Sequence, residues 1–221
     1  SWSDWRGYGS VDVAKMTDPS YRGDSASRAV QITRSLNFRG MDGDSKADGS
    51  HKSVEVTDSQ GNSVKDLPYL KGKERESIQF QVNADGTPAH ELGGTLHGYT
   101  SARTTPAKEG QSDADKDAHL VVENSSTSRE TLIADNGDRS TRTTTLATDY
   151  DTYGQATSVL DTAGDDVRCT KTSYDRSAAT VDSWTLAFPY RIRNYSGTCD
   201  DPKSLITGKD QYYDGSTELG A

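Results

Sequence analysis

Long apolar runs are missing from this sequence. Nothing approaches the roughly 18 consecutive apolar residues of a membrane-spanning helix, so no span is expected. Histidine is sparse at four residues, and there are only two cysteines, Cys169 and Cys199. Two isolated cysteines without clustered histidines exclude a structural zinc site. Positive charge is in deficit: 25 basic against 34 acidic residues give a net charge of −9, which opposes binding to nucleic acid and to anionic membranes. Helical periodicity is scarce, and its best stretch, "LPYLKGKERES", is interrupted by Pro68 and Gly72. The opening "SWSDWRGYGS" lacks the charged and apolar regions of a signal peptide. With the abrupt "DGSTELGA" at the other end, it suggests a piece of a longer polypeptide.

Apolar residues make up 31% of the 221 positions and mean hydropathy is −0.85, so any core is thin. The kinds of residue present argue against disorder. Eleven tyrosines and three tryptophans, with many Val, Ile and Thr, suit pleated surfaces. In "VQITRSLNF" the even positions Val30, Ile32, Leu36 and Phe38 are apolar, with Arg34 the exception. "SVEVTD" and "SIQFQV" repeat the alternation, and "HLVVEN", "RETLIAD" and "TRTTTLATDY" read as further strands. The fold class is therefore all-β, built of antiparallel hairpins. Turn signals separate the strands at Asp58–Gly61, Asp85–Gly86, Asn136–Gly137 and Asp151–Gly154. Asn-Gly and Asp-Gly predict hairpin turns with positive φ at both central residues. "RTTPAKEGQSDADKDAH" lacks any period and reads as an exposed loop, dividing the chain into residues 1–102, a polar loop 103–118 and residues 119–221, unless the two flanks form one continuous β-structure.

Chemistry-bearing residues do not assemble into a recognisable enzyme. Asp42, Asp44 and Asp48 lie close together, but an EF-hand numbering puts Lys46, Ala47 and Ser53 where calcium needs an oxygen ligand, a glycine and a glutamate. Both a calcium loop and an acidic hairpin turn remain open there. Asp113, Asp115 and Asp117 read as a solvated loop. No zinc-protease helix, nucleophile elbow or phosphate-cradling loop is present, and no carboxylate pair stands out among the acids. The expectation is no enzyme and no cofactor. Trp2, Trp5 and Tyr8, and Tyr190, Tyr195, Tyr212 and Tyr213, could stack on a sugar or pack a sheet. Cys169 and Cys199 either form a disulfide closing a loop of about thirty residues, in an exported protein, or stay as two thiols.

The stretch "YDTYGQATSVLDTAGDD", residues 150–166, resembles the YD repeat of the RHS-repeat family, with Tyr150, Asp151, Gly154, Asp161 and Gly164 on the repeat pattern. "WRGYGSV", "FRGMDGDSKADG" and "VEVTDSQGNSVKDLPYLKGKERES" are similar to the actinobacterial branch of large RHS proteins, as are "CTKTSYD", "FPYRI" and "CDDPKSLITGKDQYYDGS". The pattern is irregular: "DDVRCTKTS" delays the next Tyr-Asp, Tyr174–Asp175, which lacks its glycine, and Tyr213–Asp214 begins another unit.

The resemblance implies a segment of a hollow β-shell, related to those of toxin-complex and teneurin-type YD proteins. Such shells are built of hairpin repeats and enclose a C-terminal toxin domain in a secreted or cell-surface protein. Its partners would be the rest of the same polypeptide and the enclosed cargo. Tyr150 would then be a lateral filler, Asp151 and Asp161 turn pins, and Gly154 and Gly164 the positive-φ positions. The family's self-cleaving Asp-Pro-x-Gly-Leu motif has no match; "DDPKSL" at Asp200–Leu205 lacks the glycine. The rival readings are an extracellular β-domain that binds glycan or a surface protein, and a polysaccharide hydrolase.

Overall fold

The computed structural model describes residues 5–16, 29–105 and 117–214. The strands are β1 (Ser10–Met16), β2 (Ala29–Asn37), β3 (Glu55–Thr57), β4 (Ser63–Lys65), β5 (Glu74–Val82), β6 (Pro88–Thr105), β7 (Ala118–Ile133), β8 (Arg139–Tyr150), β9 (Ala156–Ala163), β10 (Asp166–Tyr174), β11 (Pro189–Gly197) and β12 (Pro202–Asp210). One short helix, α1 (Ala178–Asp182), lies between β10 and β11. The chain is all-β. Ten strands form one antiparallel sheet in the order β1-β2-β5-β6-β7-β8-β9-β10-β11-β12, not closed into a barrel, and β3 and β4 pair separately. The "LPYLKGKERES" stretch yields a single 3-10 turn, Pro68–Leu70, before β5 begins. Pro68 sits in its first turn, where a missing N–H costs nothing.

Four hairpin turns between named strands share one hydrogen-bond scheme, which a fifth turn, Lys46–Ser50 with Gly49, repeats outside them. The first residue's N–H donates to the carbonyl four residues on, and the glycine at the fourth position donates back to the first residue's carbonyl. This holds for Asp58–Asn62, Asn83–Thr87, Ala134–Asp138 and Asp151–Gln155. The glycines Gly61, Gly86, Gly137 and Gly154 have φ of +85°, +83°, +86° and +77°. Asp85 and Asn136 do not have positive φ, so these are three-residue loops with a glycine bulge rather than the expected two-residue turns. The bulge matches the right-handed twist of the flanking strands while needing only one left-handed residue.

Contacts divide the chain into two compact units. The first takes residues up to Val121 together with Ser128–Thr141; the second takes Val122–Thr127 and the chain from Arg142 onward. The division falls within β7 and β8, not at the 103–118 segment. Strand β6 runs to Thr105 and β7 starts at Ala118. Residues 106–116, with Asp113 and Asp115, lie outside the described residues, and Asp117 pairs with Arg103.

In the first unit, register places Ile32, Leu36, Ile78 and Leu96 on one face with Arg34 and Phe80. Arg34, the exception in its alternating run, bonds Asp12 on β1 through two nitrogens, at 2.8 and 2.7 Å, and its guanidinium lies over the Phe80 ring. The opposite face carries Ser35, Ser77 and Thr95 in one cross-strand row. Among the described residues of both units, buried apolar residues are few: Ile32, Phe38, Leu70 and Ile78 in the first and Cys169 and Leu186 in the second. Asp58, Asp66, Arg75 and Glu76 are buried as deeply, so ionised groups share the interior with this thin core.

In the second unit, β8 to β12 pair in sequence. Register aligns Ala147, Leu160, Cys169, Tyr195 and Leu205 on one face. The other face carries Thr148, Val159, Thr170, Asn194 and Thr207, with Thr170 donating to Asn194 and Asn194 to Thr207. Cys169 and Cys199 form a disulfide. It joins β10 to the connection between β11 and β12.

Candidate functional site

Each unit contains an aspartate that opens a glycine-bulge turn and is held by an arginine from further along the chain. In the second unit Asp151 Oδ1 accepts from the N–H groups of Tyr153 and Gln155, each at 2.9 Å. Its Oδ2 accepts from Arg176 Nε and Nη2 at 2.9 and 2.5 Å. Arg176 also donates to the Asp175 and Leu186 carbonyls. The Tyr174 and Tyr153 rings lie 4.8 and 5.3 Å from its guanidinium carbon. In the first unit Asp58 Oδ1 accepts from the N–H groups of Gln60 and Asn62, and Oδ2 from Arg75 Nη2 at 2.7 Å. Arg75 continues to the His97 carbonyl, and its Nε is buried without a partner. The two aspartates use their carboxylate oxygens in the same way, Oδ1 for the turn N–H groups and Oδ2 for the arginine, but Arg176 donates through two nitrogens and Arg75 through one.

Electrostatics follow the geometry. At both aspartates burial acts to raise the carboxyl pKa. It is outweighed by a turn N–H (Asn62 or Gln155), the arginine hydrogen bond, the second turn N–H and the arginine charge, so each carboxyl lies below the ordinary aspartate range. Tyr150 precedes Asp151 and donates its hydroxyl to the Glu123 carbonyl at 2.7 Å. Burial, and then the Glu123 charge, push its phenol upward. The geometry therefore gives Tyr150 a lateral contact, Asp151 a turn-pinning role and Gly154 the left-handed position.

Asp161 is a correction to the expected repeat roles. It lies within β9, opposite Leu146 and Arg168, and pins no turn; its Oδ1 is buried without a partner. The turn beyond it is a two-residue connection, Gly164–Asp165, closed by the pairing of Ala163 with Asp166. Gly164 has φ of +60°, so a single left-handed glycine at the first turn position makes the reversal without Asp161 pinning it. The Tyr174–Asp175 unit without its glycine makes no hairpin. Asp175 instead accepts from the Ser177 N–H and from the Ser177 and Thr180 hydroxyls, and α1 starts there.

Asp42, Asp44 and Asp48 have separate partners. Asp42 accepts from the Val54 N–H, Asp44 pairs with Arg6 and Lys52, and Asp48 accepts from the N–H and hydroxyl of Ser50. Among the described residues no three His, Cys, Asp or Glu side chains gather to hold a metal ion. Asp66, which the turn vocabulary gave no reason to single out, accepts from the N–H groups of Arg39, Gly40 and Met41 and fastens the 38–73 excursion. Gly40 has φ of +65°, and a Cβ there would meet the Pro68 carbonyl at 2.9 Å. Trp2 lies outside the described residues. Trp5 and Tyr8 stack edge to face and are exposed, and Tyr213 stacks edge to face on Phe188. His119 stacks on Tyr69 at 4.4 Å beside a cleft of about 430 Å³.

No family model matches the sequence, and no curated protein matches it. Among solved structures, the crystal structure of TcdB2-TccC3-TEV is similar in fold, with a TM-score of 0.52 and 12% identity. The likeness covers 90% of this chain and 11% of that one. At that identity it is a likeness of fold, and this chain spans about a tenth of the length of the protein it matches.

Proposed function

We propose that this chain is a non-enzymatic wall segment of an RHS/YD-repeat shell that encloses a C-terminal toxin cargo in a secreted or cell-surface protein. The observation that carries the reading is the reuse of one glycine-bulge hairpin turn at five places, twice with an Asp–Arg latch on the turn's first residue. A hairpin array of this kind grows by adding strands at its ends. The last strand among the described residues suits continuation: all nine residues of β12 are exposed, including Leu205 and Ile206. An exposed strand with apolar side chains on both faces is a template for another strand. The likeness of fold to TcdB2-TccC3-TEV, over 11% of that chain, agrees with a part of a larger assembly.

The test is the behaviour of the isolated chain in sedimentation velocity and thermal melting. A wall segment cut from its neighbours self-associates, and Ile206→Lys on β12 reduces that association by placing a charge on the strand. A monodisperse monomer with a sharp, cooperative melt contradicts the proposal.

A further inference from the structure

The second unit holds a cleft of about 580 Å³ that the latch does not use. Its lining includes Asp175, Asp214, Ser183, Thr185, Phe188 and Tyr213, and among the described residues contains no Lys, Arg or His. That volume is within the range of small-ligand sites, roughly 300–1,000 Å³. Phe188 and Tyr213 meet at 78° with ring centroids 5.4 Å apart, giving the cleft two aromatic surfaces near a right angle. The Tyr213 hydroxyl is fixed by donation to the Pro189 carbonyl, so the ring is held in place. Phe188 is nevertheless half exposed.

The carboxylates supply a matching charge. Asp175 is oriented by the Ser177 N–H and the Ser177 and Thr180 hydroxyls. These bonds, that from Thr180 foremost, hold its carboxyl below the ordinary range, so it is ionised at neutral pH. The neighbouring cation, Arg176, is committed to Asp151.

A second observation comes from the backbone. Trp184 lies between Ser183 and Thr185 and has φ of +57°. Its N–H donates to the Val181 carbonyl and that of Thr185 to the Thr180 carbonyl, the pattern that ends a helix through a left-handed residue, where glycine is the unstrained choice. A tryptophan there is strained, and its side chain is 78% exposed. Helix termination needs only the left-handed backbone, so the fold gives no reason for the indole.

We infer that this cleft binds a quaternary ammonium group, with Phe188 and Tyr213 as its aromatic lining and Asp175 and Asp214 as counter-charges, and with Trp184, which is outside the lining but between the lining residues Ser183 and Thr185, reaching it from the rim. Aromatic faces attract cations through their quadrupole, tryptophan most strongly. A primary ammonium is a strongly hydrated point charge, whereas an alkylated one sheds water readily onto aromatic rings. A free cation in solution and the head group of a choline lipid share this chemistry. The inference stands apart from the shell reading and holds or falls without it.

The experiment is an NMR titration of the whole chain with choline and, separately, with its neutral isostere 3,3-dimethylbutanol. Choline shifts the amides of residues 175–188 and 211–214, and the isostere does not. Equal shifts from both, or none from choline, overturn the inference. Phe188→Ala weakens choline binding about two- to fivefold, the range expected of one exposed cation–aromatic contact. Trp184→Gly raises the melting temperature by relieving the backbone while weakening choline binding. If it stabilises the chain and leaves binding unchanged, the indole has no part in a site and the inference fails. Phosphatidylcholine vesicles separate the sources: co-sedimentation abolished by Asp214→Asn identifies a head group, and choline binding without vesicle binding identifies a soluble cation.

Discussion

Arg129 on β7 donates to the fully buried carboxylate of Glu76 on β5 at 2.7 Å, reaching it across the intervening strand β6. It crosses where β6 has a glycine. A Cβ on Gly94 would lie 3.0 Å from the Arg129 Nη2 and 2.8 Å from the Ser77 carbonyl. Arg129 also pairs with Glu91, and Glu76 accepts from both the N–H and the hydroxyl of Ser59. The buried acid thus gains a cation and two hydrogen bonds, which offset the desolvation an isolated charge would suffer.

Gly94→Ala is expected to cost about 1–3 kcal/mol by overpacking this crossing. Chemical denaturation checks it. An unchanged midpoint would show that Arg129 can reach Glu76 by another route.

The Asp151–Arg176 latch should behave as a coupled pair. A double-mutant cycle with Asp151→Asn and Arg176→Met is expected to show about 1–2 kcal/mol of interaction energy. The same cycle on Asp58 and Arg75 should give more, because both side chains are less exposed there: 0% and 9% against 19% and 25%. The exposed pair Arg168–Asp166 serves as a control without measurable coupling. Independent effects at Asp151 and Arg176 would refute the latch.

Acid should release both latches. The folded-state pKa values of Asp58 and Asp151 lie below the ordinary range, so their contribution is complete above the unfolded value of about 3.9. It is lost as pH falls through the lower folded values. Stability measured against pH should drop in that acid window, and the drop should shrink in Asp58→Asn and Asp151→Asn. An identical profile in both variants would remove these two groups from the account.

Reduction of Cys169–Cys199 should destabilise the second unit. With a sequence separation of 30, the chain-entropy estimate is about 3–4 kcal/mol. Melting with and without a thiol reductant, and in Cys199→Ser, should show the loss. No shift in either would mean that the link does not constrain the unfolded chain.

Asp161→Asn is expected to be neutral or slightly stabilising, since the aspartate's buried Oδ1 has no partner to lose. A loss above about 1 kcal/mol in denaturation would reveal a dependence on that charge.

The strands with strict alternation were legible because period 2 leaves one face for the core, as at Ile32, Leu36, Ile78 and Phe80. Strand β6 was not: "HELGGTLHGY" interrupts any alternation with Gly93, Gly94 and Gly98, which reads as a breaker. Gly93 and Gly94 are small for packing reasons, since a Cβ on either would strike a neighbouring backbone carbonyl. Asp151 could be read as a turn pin from its glycine, but its arginine could not, because Arg176 lies 25 residues on and no local pattern links them. Asp161 misled for a related reason. Spacing from a glycine suggests a turn, whereas the Ala163–Asp166 pairing makes that turn with two residues and leaves the aspartate in the strand. Asp66 and Glu76 escaped notice because a buried acid is identified by its donors, and those come from distant segments.

Each latch also has a direction along the chain. Arg75 follows Asp58, Arg129 follows Glu76, and Arg176 follows Asp151; Cys199 likewise follows Cys169. As the polypeptide emerges from the ribosome, each of these three acids appears before the cation that neutralises it, whereas Asp44 and Asp117 follow Arg6 and Arg103. The two latched turns are therefore made open and fastened by residues synthesised later, which gives their assembly an N-terminal start.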